Sequence, residues 1–162
     1  MIIEQQNFLS DEECNFCIDF FEASNNKQIF QSNYLVNLEF HNDDLDIFKL
    51  IKKKLTLHMN DVDKDSFINY SEIVKYPIGN AKGEHLDHTY HPYTSIIYLN
   101  DKFTGGETVV DNQIVKPERG KVLSFNGRDL LHKVNKATKD RYTISTWYKG
   151  KKWATLKNKN IK

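Results

Sequence analysis

Two histidines and an aspartate set the chemistry open to this sequence. His85-Leu86-Asp87 opens a stretch that runs on through His132 to Arg141-Tyr142-Thr143-Ile144-Ser145-Thr146-Trp147-Tyr148. Two imidazoles and one carboxylate suit non-haem Fe(II) and leave coordination positions free for oxygen chemistry. Side chains two apart on a strand share a face, so His85 and Asp87 are expected to project together while Leu86 turns away. His132 has to be brought alongside by folding. His-x-Asp alone is a weak signal, and Arg141 strengthens it. A guanidinium in an otherwise apolar or hydroxylic run, beside Ile144 and Trp147, turns inward only where an anion meets it. Its planar fork matches a carboxylate in two-point contact. Strand alternation puts Arg141, Thr143, Ser145 and Trp147 on one face, with hydroxyls beside the guanidinium. An open metal next to a carboxylate pocket describes a site for a bidentate 2-oxoacid.

Other residues carry rival readings. His85, His88 and His91 could suggest a zinc cluster; on a continuous strand, however, His88 faces away from His85 and Asp87, and a surface or supporting role is expected for His88 and His91. His91 precedes Pro92, which favours a turn near the mouth of the site. Gly105-Gly106 reads as a tight turn, since no helix or Lys-Ser/Thr pair follows it. Arg128 either pairs with Asp129 or touches substrate. The bland alternative for His85, Asp87, His132 and Arg141 is a cupin-like β-sandwich with scattered polar residues.

The elements that must position these residues fall into two blocks. Ser10 and Glu13 form a capping-box pattern ahead of Cys14, Cys17, Ile18 and Phe21, one apolar face of a helix. That spacing makes the two cysteines core residues rather than a redox pair. Phe30 to Phe40 is expected as an edge strand or irregular segment. Asp43 and Asp44 are expected to open a second helix with Leu45, Phe48, Ile51 and Leu55 on one face, Lys52–Lys54 solvated towards its end, and His58 closing it. From Ser66 the pattern changes to short runs: 67–76, 94–99, 107–110, 113–115, 121–125, 130–134 and 142–148 read as strands, with Ala81–Glu84 and His88–Pro92 as loops. Two helices followed by seven or eight strands predict a mainly β, helix-backed sandwich or barrel. The division expected is helical support over 1–60, a catalytic β core over 66–148 and a basic tail over 149–162, which Trp153 could pin to the body.

Composition narrows the partners. The chain has 162 residues and a net charge of +1, enough for one domain with a real core and too neutral for bulk attraction to nucleic acid or anionic membrane. No apolar run approaches a membrane span, and Met1–Gln6 does not read as a secretion signal. Two cysteines are too few for a disulfide framework. A cytoplasmic protein is expected, and abundant Lys, Asn and Ile hint at AT-rich bacterial or viral coding. The oligomeric state is left open.

The ordered motifs resemble the prolyl 4-hydroxylase-type branch of the Fe(II)/2-oxoglutarate-dependent dioxygenases. Carrying the resemblance are 7–14, Tyr76-Pro77, His85-Leu86-Asp87, Tyr98-Leu99-Asn100, Gly105-Gly106-Glu107-Thr108, Val115–Gly120, Phe125, His132-Lys133-Val134 and Arg141–Tyr148. It implies a double-stranded β-helix (jelly roll) with the N-terminal helices on one sheet and the strands of His132 and Arg141 in opposing sheets. It implies Fe(II) on His85, Asp87 and His132, and the distal carboxylate of 2-oxoglutarate on Arg141, with a phenol hydrogen bond from Tyr98 and a hydroxyl from Ser145. Tyr76, Thr108, Val134 and Trp147 are expected to line that pocket. Some members carry Lys where Arg141 stands. The implied reaction couples O2 use and 2-oxoglutarate decarboxylation to C–H hydroxylation, with ascorbate as a further cofactor. The implied substrate is a prolyl residue in a peptide or protein; a free amino acid, another metabolite or a nucleobase is the alternative, and a non-catalytic binding module the third.

Overall fold

The structure is a computed structural model that describes residues 1–38 and 45–150. In chain order the elements are β1 (Ile2–Gln5), α1 (Asp11–Ala23), β2 (Gln28–Phe30), β3 (Asn33–Asn37), α2 (Asp46–Asn60), β4 (Phe67–Tyr76), β5 (Lys82–His85), β6 (Tyr93–Tyr98), β7 (Thr108–Val110), β8 (Gln113–Val115), β9 (Val122–Phe125), β10 (His132–Val134) and β11 (Arg141–Lys149). They form two antiparallel sheets: seven strands in the order β1-β9-β6-β11-β4-β3-β2, and four in the order β5-β10-β7-β8. This is the mainly β, two-sheet architecture expected, with His132 and Arg141 on opposing sheets.

Strand β11 shows why the layers stack as they do. Tyr142, Ile144 and Tyr148 face one way, into the core shared with both helices. Arg141, Thr143, Ser145 and Trp147 face the other way, into the cavity between the sheets. The period-2 alternation read from the sequence is thus realised on a strand covered on both sides. From α1, Cys14, Cys17 and Phe21 pack under the large sheet, and from α2, Phe48, Ile51, Leu55 and Met59 do the same. Burying each large apolar side chain of this set contributes roughly 1.5–3 kcal/mol. Cys14 and Cys17 are free thiols inside this core, and burial pushes the Cys14 thiol up to about 11, so both are inert packing residues.

Several expectations change. The Ser10 hydroxyl accepts from the Glu13 amide at 3.1 Å, but the Glu13 carboxylate does not complete the capping box; its Oε2 is buried without a hydrogen bond. Segment 1–60 supplies three strands as well as both helices: β1 pairs with β9, and the β2–β3 hairpin pairs with β4, leaving β2 at the edge. Strand β5 occupies most of the stretch read as a loop at Ala81–Glu84; its Gly and polar residues carry no apolar alternation to mark it. Asp43, Asp44, the end of the Phe30–Phe40 segment, and the tail beyond Gly150 with Trp153 lie outside the described residues. Among the described residues, no helix is long and apolar enough to cross a membrane.

His58 is not simply exposed at the helix end. Its Nε2 meets the Ser124 hydroxyl at 2.9 Å, and Ser124 meets Ser95 at 2.7 Å, so α2 is tied to the large sheet through a partly buried polar link. Burial, only partly countered by Asp61, holds the imidazole below its usual 6.5. The unfolded chain therefore binds more protons below about pH 6.5, so stability is unaffected above that value and is lost as pH falls through the folded-state value. Urea unfolding of chelator-treated protein is expected to show a midpoint that declines between about pH 7 and pH 5, and His58→Gln should flatten part of that decline. Identical pH profiles for the two proteins would rule out the contribution.

Candidate active site

Strands β5 and β10 bring the candidate metal donors together. His132 lies opposite His85 in the ladder, and their rings sit 4.2 Å apart. Asp87 lies just past the end of β5, where its amide donates to the Gly127 carbonyl at 2.9 Å. Asp87 Oδ1 stands 3.5 Å from His132 Nε2 and 3.8 Å from His85 Nε2. Leu86, also past the end of β5, is half exposed and lies at the edge of the cavity.

The tautomers follow from the backbone. His85 Nδ1 contacts the Gly83 carbonyl at 2.8 Å, and His132 Nδ1 the Leu130 carbonyl at 2.9 Å. A carbonyl only accepts, so each Nδ1 carries the proton and each Nε2 lone pair points at the shared space. Burial, reinforced by the neighbouring His132, lowers the His85 pKa and keeps that imidazole neutral. Burial would raise the Asp87 carboxyl, but His132 and His85 when protonated at Nε2 in the metal-free site, together with the Thr94 hydroxyl, outweigh it and hold it below the usual range. One ligand atom from each of the three side chains lies within 4.8 Å of the others. Three electron-rich atoms converging this closely fit a divalent cation, and the N2O donor set suits Fe(II).

The second feature is a buried cation. Arg141 is 2% exposed. Its Nε donates to the Gly106 carbonyl at 2.9 Å and its Nη2 to Thr108 Oγ1 at 3.2 Å, and the guanidinium lies over the rings of Tyr76 and Tyr98. Among the described residues no carboxylate pairs with it. Burial works against its charge, offset in part by Tyr98 and Tyr76. Two residues along the same face, Thr143 Oγ1 is buried with no hydrogen-bond partner. A buried cation and an orphaned hydroxyl side by side are what a carboxylate would satisfy.

Around these features lies a cavity of about 580 Å3 between the sheets. Tyr76, Ser145, Val134 and Trp147 line it, as expected. Tyr98 and Thr108 are fully buried behind Arg141, where the Tyr98 hydroxyl donates to Thr108 Oγ1 at 2.7 Å. Thr143, directly opposite Tyr98 in the ladder, is nearer the guanidinium along β11 than Ser145 is. His88 also lines the cavity, because β5 ends at His85 and strand alternation does not reach it. His91 is buried, takes a 2.9 Å hydrogen bond from Asn69 and packs edge-on to Tyr70; burial brings its pKa down to about 4. Neither belongs to the donor group. Arg128 forms a two-point pair with Asp129 at 2.9 and 3.0 Å, away from the cavity lining.

Residues that sequence reasoning missed are Thr94, which orients Asp87, Gly127, and Glu72. Asn126-Gly127 had only a turn signal. A Cβ at Gly127 would overlap Asp87 Oδ2 and Thr94 Oγ1, so the absent side chain is what lets Asp87 sit against the backbone. The alternation of β4 would have put Glu72 on the face of Tyr76 had it been applied there.

A two-sheet jelly roll that brings together two imidazoles, a carboxylate and a buried arginine with no carboxylate partner among the described residues fits a non-haem iron oxygenase. Residues 71–149 match the model of the 2OG-Fe(II) oxygenase superfamily. The solved structure of a viral collagen prolyl hydroxylase from Paramecium Bursaria Chlorella virus-1, a 2OG complex, superposes with a TM-score of 0.77 at 18% identity, over 92% of this chain and 95% of that one. A Pseudomonas putida prolyl-4-hydroxylase gives 0.80 at 15% identity, over 93% and 92%. A Trichoplax adhaerens prolyl hydroxylase, in complex with a hypoxia inducible factor oxygen degradation domain peptide fragment, gives 0.81 at 18% identity, over 96% and 86%. No curated protein matches the chain by sequence. Residues 71–149 thus match the 2OG-Fe(II) oxygenase superfamily, a family that uses Fe(II), 2-oxoglutarate and O2, and the fold of the chain is that of the prolyl hydroxylases it superposes on.

Gly127→Ala is expected to weaken Fe(II) or Co(II) binding by about 10- to 100-fold, the usual effect of displacing a ligand through its supporting shell. Calorimetric titration measures it, with circular dichroism checking that the metal-free fold is intact. Unchanged affinity in a folded variant would remove Gly127 from the site.

Proposed function

We propose that this enzyme hydroxylates a prolyl residue in a peptide or protein, with His85, Asp87 and His132 as the Fe(II) ligands. In this reading Arg141 and Thr143 grip the far carboxylate of 2-oxoglutarate. Tyr98 and Thr108 brace the guanidinium from behind, and Tyr76, Ser145, Val134 and Trp147 wall the cosubstrate. Bound iron and 2-oxoglutarate supply oxygen activation and C–H hydroxylation; ascorbate enters the reading as an external reductant of the iron.

The observation that carries this reading is the pairing of a converging His-Asp-His donor group with a buried arginine that has no carboxylate of its own. The chain's own contribution is positional. Backbone carbonyls hold both imidazoles in the metal-binding tautomer, and Thr94 holds the Asp87 oxygen. The two sheets place the donor group and Arg141 on opposite walls of one cavity.

The peptide part of the reading rests on the mouth of the cavity. Ile29 and Phe30, on edge strand β2, are 70% and 59% exposed, and both line the opening. An edge strand with exposed apolar side chains suits an extended chain laid alongside it. The Trichoplax structure holds a peptide, and two of the other superposing proteins are a viral collagen prolyl hydroxylase and a prolyl-4-hydroxylase. Two buried free thiols support a reducing compartment such as the cytoplasm.

The test is succinate release from 2-oxoglutarate in the presence of Fe(II), with proline-containing peptides and with unrelated small molecules. Stimulation by the peptides is expected, and His132→Ala should abolish both metal retention and turnover. Arg141→Ala should raise the KM for 2-oxoglutarate about 30-fold or more, the scale for losing one side of a buried charge pair, and Thr143→Val about 10-fold. Wild-type protein that retains iron but releases no succinate would refute the oxygenase assignment. Stimulation only by small molecules would refute the peptide half.

A further inference from the structure

Glu72 is a carboxyl in the cavity that the reading above leaves without a task. It lies on β4 between Tyr70 and Val74, opposite Ser145 on β11, and lines the same cavity as the metal donors. Among the described residues no hydrogen bond or ion pair engages its carboxyl; burial alone accounts for its shift, to about 7. The two cations of the cavity are committed elsewhere: Arg141 to Gly106 and Thr108, and Lys82 to Gln31. The neighbouring surface is aromatic. Tyr70 and Trp147 are stacked at 4.6 Å with an interplanar angle of 21°, one step along the ladder from Glu72 and Ser145.

Position in the ladder sets its range. Glu72 pairs with Ser145, and Ser145 pairs on its other side with Ile96. Thr94, which holds Asp87, lies two residues from Ile96 on the same face. With strands ~4.8 Å apart and ~3.3 Å per residue, the backbones of Glu72 and Thr94 are roughly 12 Å apart, with both side chains reaching into one cavity. A substrate of amino-acid size spans what remains.

A half-buried carboxyl beside a stacked aromatic pair, with no cation of its own, is a receptor for a protonated nitrogen: the carboxylate accepts its N–H groups, and ring faces attract its charge. The nitrogen of an internal prolyl residue is a tertiary amide, with no proton to give and no charge. We propose that Glu72, with the Tyr70–Trp147 pair, forms an acidic subsite that takes a protonated substrate nitrogen. The preferred substrate therefore carries an ammonium group close to the carbon that is hydroxylated. This inference rests on the oxygenase reading and narrows its substrate class. The ammonium can belong to a free imino or amino acid or to a peptide whose amino terminus lies at the prolyl residue, and the test separates these.

Coupled 2-oxoglutarate decarboxylation is measured with L-proline, L-prolylglycine, N-acetyl-L-proline and a peptide with proline at an internal position and a capped amino terminus. The expected result is stimulation by L-proline or L-prolylglycine and at most about a tenth as much by the acetylated and capped compounds. L-Proline alone points to a free imino acid, and L-prolylglycine to a peptide terminus. In Glu72→Gln the KM of the stimulating ammonium compound should rise about 10- to 100-fold, a larger change than in the KM for 2-oxoglutarate.

A second measurement does not depend on turnover. Trp153→Phe leaves Trp147 as the sole tryptophan of the chain's two. In that background, with Fe(II) and 2-oxoglutarate bound and oxygen excluded, L-proline or L-prolylglycine should change the fluorescence saturably, and Glu72→Gln should shift the response to higher concentration. Equal stimulation by the capped peptide, or responses identical with and without the Glu72 carboxylate, would overturn the proposal. Absence of metal-dependent succinate would instead strike the oxygenase reading, and the fluorescence titration would still decide on Glu72.

Discussion

Strand β11 is buried on both faces, and the rest of the structure depends on that constraint. One face carries Tyr142, Ile144 and Tyr148 into the core under the helices; the other carries Arg141, Thr143, Ser145 and Trp147 into the cavity. A strand with one solvated face needs only half its side chains to fit something. Here both sets must, and the polar set fits only if a ligand completes it. The helices therefore serve the site indirectly. By covering the outer face of the large sheet they fix its position, and with it the spacing to the smaller sheet that carries His85 and His132.

The electrostatics of the cavity have one logic at both ends. At the metal end, three electron-rich atoms are held close by backbone carbonyls and a threonine hydroxyl. At the other end, a guanidinium is desolvated against two tyrosine rings and given two neutral acceptors but no anion. Each end alone is an unbalanced charge arrangement in a low-dielectric space, which costs stability. In the proposed reading, a divalent cation at one end and a dicarboxylate reaching to the other would relieve both. The site is preorganised for ligands whose charges mirror its own, and binding should stabilise the fold as well as enable the reaction.

Structural polarity elsewhere is treated differently, which sharpens the contrast. Lys121 is as buried as Arg141, but it reaches Glu4 and Glu118, each at 2.9 Å. The buried hydroxyls of Ser71 and Thr146 satisfy each other at 2.9 Å. Against these matched groups, Arg141 has neutral acceptors but, among the described residues, no carboxylate, and Thr143 Oγ1 has no hydrogen-bond partner.

The local part of this architecture was legible in the sequence. Apolar spacing at three and four residues gave both helices and their buried faces, and alternation gave β4, β6, β9 and β11 and the four cavity-facing residues of β11. Residue chemistry and the family resemblance gave the three metal donors and Arg141. What escaped depended on contacts between distant segments. Strand β5 has no apolar pattern, because it is defined by pairing with β10. Gly127 reads as an ordinary turn residue until the backbone is seen against Asp87. Alternation puts both Thr143 and Ser145 on the face of Arg141, but only the folded structure shows that Thr143 Oγ1 is buried without a hydrogen-bond partner. The sequence by itself determined which residues alternate and which can ligate, since those are properties of a few consecutive side chains. Tertiary structure alone decided which polar groups end buried and unmatched, since burial is a property of what folding brings to lie against them.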